Sequence, residues 1–176
     1  LPCLLLSGCV QSALSQQTAW DDLQFTDSLE LTYADQFAVD YYQGGYAKIT
    51  IGSTDTYLLV PEGATVPEGL PDTVTVLQQP LDSIYLVATS AMDLFRELDA
   101  LNVISLSGTD SAGWYIPQAR QAMEEGSIIY AGKYSAPDYE LILSQGCDLA
   151  LESTMIYHTP EVKEQLEKFG IPVLVE

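Results

Sequence analysis

The side chains that could bind a metal or attack an electrophile are scarce: three cysteines and one histidine in 176 residues. Structural zinc sites draw four ligands, mainly Cys and His, at short spacings, whereas Cys3, Cys9, Cys147 and His158 stand far apart. No metal-ligand spacing is present. A triad built on His158 needs a nucleophile in a recognisable turn, and the chain has no Gly-x-Ser-x-Gly, His-Glu-x-x-His or Gly-x-x-x-x-Gly-Lys pattern. The expectation is a protein without catalytic residues or cofactor. More abundant are hydroxyls and aromatics that follow apolar runs: Ser90, Trp114 with Tyr115, Tyr134, and Ser153, Thr154, Tyr157 and His158. Trp and Tyr offer flat apolar faces with a polar handle, which suits a large, partly aromatic or macrocyclic ligand better than a bare ion. The competing reading folds these loop aromatics back onto the protein as core.

Charge narrows the partners. The chain carries 25 Asp and Glu against 6 Lys and Arg, a formal net charge of −19. Neutralising phosphates takes Lys and Arg that are absent here, so a nucleic-acid interface through a basic patch is excluded. A length of about one domain with 47% hydrophobic residues supports a packed core rather than an acidic tail. The acid excess either confers solubility or steers a cationic partner.

The elements that must position those residues follow Pro80, where apolar strands alternate with helices. Residues 83–88 and 103–106 read as strands flanking a helix that Ser90 caps and Asn102 closes, with Met92, Phe95 and Leu98 on one face. Pro117 opens a helix through Ala119, Ala122 and Met123 that ends at Gly126, and the strand 127–130 follows. Another helix begins at Pro137 and stops at Gly146. Residues 148–151 form a strand, Thr159-Pro160 caps a helix carrying Val162, Leu166 and Phe169, and 171–175 is the last strand. Such alternation predicts an α/β fold, a mostly parallel Rossmann-like sheet with helices on both faces, because parallel strands need crossovers. Ligands in these sheets bind outside the carboxyl ends of the strands. The four loops bearing the hydroxyls and aromatics all follow such ends.

Before Pro80 the grammar differs. Residues 29–33, 37–41, 46–51 and 56–60 alternate apolar and polar side chains, with Gln43-Gly44-Gly45 where a hairpin needs positive φ, so 28–80 reads as a small antiparallel β-meander, with 73–77 as one further strand. Residues 10–27 are polar and aperiodic, as in a flexible tether. Ahead of them, residues 1–9 resemble the end of a signal peptide: Leu1-Pro2-Cys3-Leu4-Leu5-Leu6 is its apolar tail and Leu6-Ser7-Gly8-Cys9 resembles a bacterial lipobox, in which Cys9 receives the lipid. The alternative is a buried apolar start carrying an ordinary thiol.

The stretch Glu140-Leu141-Ile142-Leu143-Ser144-Gln145-Gly146-Cys147-Asp148-Leu149-Ala150-Leu151, then Thr159-Pro160-Glu161-Val162 and Gln165-Leu166-Glu167-Lys168-Phe169-Gly170-Ile171-Pro172-Val173, resembles the N-terminal lobe of the substrate-binding proteins of ABC importers. Within them it is most similar to the class with a rigid interlobe helix, which binds ferric siderophores, haem or cobalamin. The likeness is strongest over 81–176, weaker over 28–80, and the lipobox agrees with it. It implies an extracytoplasmic protein anchored to the membrane through lipid on Cys9, a chelated-metal or organometallic ligand, and a partner in the permease subunits of the importer. Glu140 matches an acidic position that pairs with permease arginines, although Asp138 and Glu140 also complement the positive end of a helix. Tyr134 matches a ligand-facing aromatic, Ser153 the start of a cleft-lining loop, and Ser90 the loop after the first strand. Cys147 departs from the family's proline and is read as a small buried filler. The loop 108–115 is longer than in simpler relatives. In the family a long helix and a second lobe follow the strand at 171–175, so the chain is expected to be an N-terminal lobe. Two other readings remain open: a surface lipoprotein that binds a protein or envelope partner without transport, and an enzyme on a flavodoxin-like scaffold.

Overall fold

Alternating apolar and polar residues build the first sheet, from β1 (Phe25–Ser28), β2 (Phe37–Tyr42), β3 (Ala47–Ile51), β4 (Asp55–Val60) and β5 (Val74–Gln78), paired in that order. The computed structural model describes residues 18–53 and 55–176. Strands β1 to β4 are antiparallel, and the turn into β3 places Gly44 at φ 80° and Gly45 at φ 86°, backbone that a side chain resists. β5 instead runs parallel to β4, because the long connection through residues 61–73 returns the chain to the same end of the sheet.

The second sheet holds β6 (Ile84–Leu86), β7 (Ile104–Ser107), β8 (Ile129–Tyr130), β11 (Leu149–Glu152) and β12 (Val173–Val175) in the order β12-β11-β6-β7-β8. Every pairing is parallel. A two-stranded hairpin of β9 (Gly132–Lys133) and β10 (Ala136–Pro137) follows β8. The crossovers contain α1 (Ala91–Glu97), α2 (Pro117–Glu124), α3 (Tyr139–Ser144) and α4 (Pro160–Lys168). Successive side chains on a strand face opposite ways, and β11 sorts them accordingly. Leu149 and Leu151 join one apolar cluster with Met92 of α1, Ala119 of α2 and Tyr57 and Leu77 of the first sheet. Ala150 joins the other, with Ile142 of α3 and Val162 and Leu166 of α4. The two sheets thus share a core, which the Val175 N–H fastens by donating to the Tyr57 hydroxyl at 3.4 Å. Burial pushes that hydroxyl up to about 12.

Several local expectations are corrected. The strand expected over 29–33 lies earlier, at β1, where the Phe25 ring meets Tyr42 edge-on at 6.2 Å; the Leu29 N–H donates to the Val39 carbonyl and the chain then leaves the sheet. The tether expected over 10–27 is folded in its described part. Trp20 and Glu68 are joined by a backbone bond of 2.8 Å, and Trp20 and Leu23 pack against Tyr46, Leu58 and Val60. Ser90 does not cap α1, since its hydroxyl engages Glu176 instead. Leu98 lies past the end of that helix and is 76% exposed, and the left-handed residue after it is Asp99 rather than Asn102. Pro137 belongs to β10, and α3 starts one residue after Asp138, whose carboxylate accepts the Leu141 N–H at 3.0 Å. Phe169 is partly exposed and touches Tyr139 edge-on at 5.7 Å.

Candidate functional site

Because the five strands of the second sheet are parallel, their carboxyl ends share one edge, and the chain order reverses between β6 and β11. In open α/β sheets generally, such a reversal is where ligands bind. Ser90 follows β6 and Ser153 follows β11, so the two flank this point, while Tyr134 follows β8 at the same edge. The Ser90 hydroxyl donates to the Glu176 carboxylate, and the Glu176 N–H donates to the Glu152 carbonyl at 3.0 Å. Three rim segments are thereby tied together.

Tyr134 occupies the turn of the β9–β10 hairpin and is half-buried. Gly132 sets the hairpin's direction: its φ is 84°, and a Cβ there would lie 2.3 Å from the Ala136 carbonyl oxygen. The Tyr85 hydroxyl reaches from the central strand to donate to the Gly132 carbonyl at 2.7 Å, and the Asp138 N–H donates to Ala131 at 2.8 Å. The tip of the hairpin is therefore presented on a fixed base.

Trp114 is not a free rim aromatic. It is 4% exposed and belongs to the shared core, with its indole N–H donating to Ser107 Oγ at 3.1 Å and to the Thr109 carbonyl at 3.2 Å. Its role is to fold the long loop after β7 down onto the sheet, helped by Arg120, which donates to the Trp114 carbonyl at 2.6 Å. Tyr115, the next residue, is 96% exposed. A depression of about 320 Å³ lies here, lined by Thr89, Gly113, Trp114, Tyr115 and Ile116.

On the other flank, Ser153 is half-buried and accepts the Met155 N–H at 3.4 Å, starting the single 3-10 turn Thr154–His158. Thr154, Tyr157 and His158 are exposed on that turn, and Ile156 is its buried anchor. The Tyr157 hydroxyl donates to Asp55 at 3.4 Å, which turns this ring toward the first sheet. His158 stands alone: no group of three or more metal-ligating side chains occurs among the described residues. Glu140 is exposed in the first turn of α3, where with Asp138, Leu141 and Ser144 it lines a shallow depression of about 260 Å³. Cys9 and the lipobox lie outside the described residues. Cys147 is partly buried, and burial pushes its thiol up to about 11, which keeps it protonated and unreactive at neutral pH.

No family model and no curated protein matches the chain.

One rim residue was not among the site residues drawn from the sequence. Glu152, the last residue of β11, has no solvent exposure, and neither of its carboxylate oxygens has a hydrogen-bond partner. Burial alone pushes its acid up to about 8. The signal was a charged residue closing the apolar run Leu149-Ala150-Leu151, which passes for an ordinary strand end.

Proposed function

We propose that this chain is the solute-facing lobe of an extracytoplasmic binding lipoprotein that delivers a chelated-metal or organometallic compound, of the ferric siderophore, haem or cobalamin kind, to an ABC importer. The observation that carries the reading is the meeting of Ser90, Ser153 and Tyr134 at the carboxyl edge of one parallel sheet, beside the reversal of strand order. In this reading the sheet is doubly wound and Rossmann-like, and its rim is one wall of a cleft whose other wall is a second lobe. Tyr115 and Tyr134 supply aromatic faces and the Ser90, Ser153 and Thr154 hydroxyls supply orientation; Trp114 supports the wall from behind. Exposed Glu140 is the docking contact for permease arginines. The protein turns over no substrate in this reading.

Titration calorimetry of the full-length protein with haem, cyanocobalamin and ferric siderophores tests it. Saturable binding of one of these, weakened by Tyr115→Ala, is the expected result. Binding of none of them overturns it.

A second reading has its own observation. A groove of about 300 Å³ lined by Gln36, Phe37, Ile49, Ile51, Leu174 and Glu176 is wholly apolar where it meets solvent, and Phe37 in its lining is exposed. Such a face suits a protein or envelope partner without transport. Loss of partner capture in Ile49→Lys with solute binding intact would favour it.

A further inference from the structure

Glu152 is the only fully buried acid among the described residues, and it sits directly under the rim. Side chains two apart on a strand face the same way, so its carboxyl lies on the side of Ala150, the face of the sheet whose apolar cluster holds Tyr85, Ile142 and Val175. The titratable groups facing it are few. Tyr85 on β6 and Tyr139 on α3 are both pushed up by burial and, in smaller part, by the Glu152 charge. Tyr130 at the end of β8 and Cys147 before β11 act on Tyr85, and Glu161 in the first turn of α4 acts on Tyr139. Glu176 on the neighbouring strand end holds the Glu152 carbonyl through its own N–H. No lysine, arginine or histidine is in this set. An ionised carboxylate here has neither a cation nor a donor, so it must remain neutral or move out to water.

Ser153 follows at once, and Ile156 anchors the 3-10 turn in the same apolar cluster, so residues 153–158 are the rim segment that continues directly from this acid. The Ser90 loop is joined to the same strand end through Glu176.

We propose that Glu152 is a proton-controlled lock on the rim: as the neutral acid it stays buried and lets residues 153–158 pack down, and on losing its proton to solvent it moves outward and displaces them. That the displaced loop handles a solute rests on the function proposed above; the lock itself does not. Burial that holds the acid neutral up to about pH 8 puts the opening on the alkaline side of neutrality.

The test needs no ligand, so its failure and the failure of the transport reading are separable. Hydrogen exchange of the full chain is followed from about pH 6 to about pH 10 and corrected for the intrinsic rate, alongside the ¹³Cδ shift of Glu152. Exchange in peptides spanning 152–158 is expected to rise about tenfold per pH unit as pH climbs toward the midpoint of the Glu152 titration and to level off above it. Peptides from α2 stay unchanged, and Glu152→Gln removes the rise. Three results overturn the lock: ionisation of Glu152 in the ordinary carboxylate range, ionisation near pH 8 without loop exchange, or the same rise in Glu152→Gln. Should Glu152→Gln fail to fold, the wild-type ¹³C and exchange curves decide by whether their midpoints coincide.

Discussion

The hydroxyl of Tyr85, at the centre of the parallel sheet, donates to the carbonyl of Gly132 at 2.7 Å and so ties the hairpin that carries Tyr134 to the most buried strand of the protein. This bond fixes the base of the hairpin from below. Tyr85→Phe keeps the ring and leaves a part-buried carbonyl without its donor. A loss of about 1–3 kcal/mol follows from an orphaned acceptor of this kind, measured by urea denaturation. Exchange in the 131–138 segment should rise more than the global loss explains.

Gly132 admits no side chain. A Cβ would meet the Ala136 carbonyl oxygen at 2.3 Å and the Pro137 Cα at 3.0 Å, and the φ of 84° is itself unfavourable for alanine. Gly132→Ala should therefore cost more than the ~1 kcal/mol of an ordinary glycine replacement and turn the hairpin away from the sheet. A melting temperature equal to that of the wild type would show that the turn is not constrained in this way.

Trp114 and Tyr115 are neighbours with opposite duties. Removing the buried indole in Trp114→Ala opens a cavity and should cost about 3–5 kcal/mol. Tyr115→Ala, at a side chain that is 96% exposed, should change stability by less than about 0.5 kcal/mol and, under the proposed function, weaken solute binding. Parallel denaturation and binding curves for the two variants separate support of the wall from contact with a ligand.

The Glu152 acid gives a pH signature in stability. Its ordinary value is 4.5, and in the fold burial raises it to about 8. The unfolded chain thus releases its proton first, and stability that is fully present below about pH 4.5 is lost as pH rises to about 8, then levels off. Comparison with Glu152→Gln isolates this group from the other carboxylates. The two proteins should melt together near pH 4.5, and the variant should be the more stable by a few kcal/mol at pH 8 and above. A constant difference across that range would contradict the assignment.

Glu140 is exposed, and the proposed transport function makes it a docking contact. Under that proposal Glu140→Arg is expected to leave stability within about 0.5 kcal/mol and solute affinity unchanged while lowering uptake in transport vesicles. Unchanged uptake would leave only the helix-terminus role for this acid.

What could be read along the chain was whatever depends on neighbours in sequence. The alternation of residues 37–60 marked an antiparallel sheet, and Gly44, Gly126, Gly146 and Gly170 marked turns or helix ends that do take positive φ. Pro117 and Pro160 marked helix starts for the same local reason, a fixed φ and a missing N–H. The succession of strands and helices was enough to bring Ser90, Tyr134 and Ser153 to one edge, since parallel strands separated by helices leave their carboxyl ends together.

Only the tertiary structure decided which side chains reach that edge. An aromatic after a strand is equally suited to a ligand and to the core, and it took the bonds to Ser107 and Thr109 to assign Trp114 to the interior. Ser90 had the chemistry of a helix cap, but Glu176, distant in sequence, competes for its hydroxyl. The parallel pairing of β5 and the neutral acid of Glu152 were invisible for a related reason. Pairing direction and desolvation are set by what the rest of the chain packs around a residue, and no local pattern encodes them.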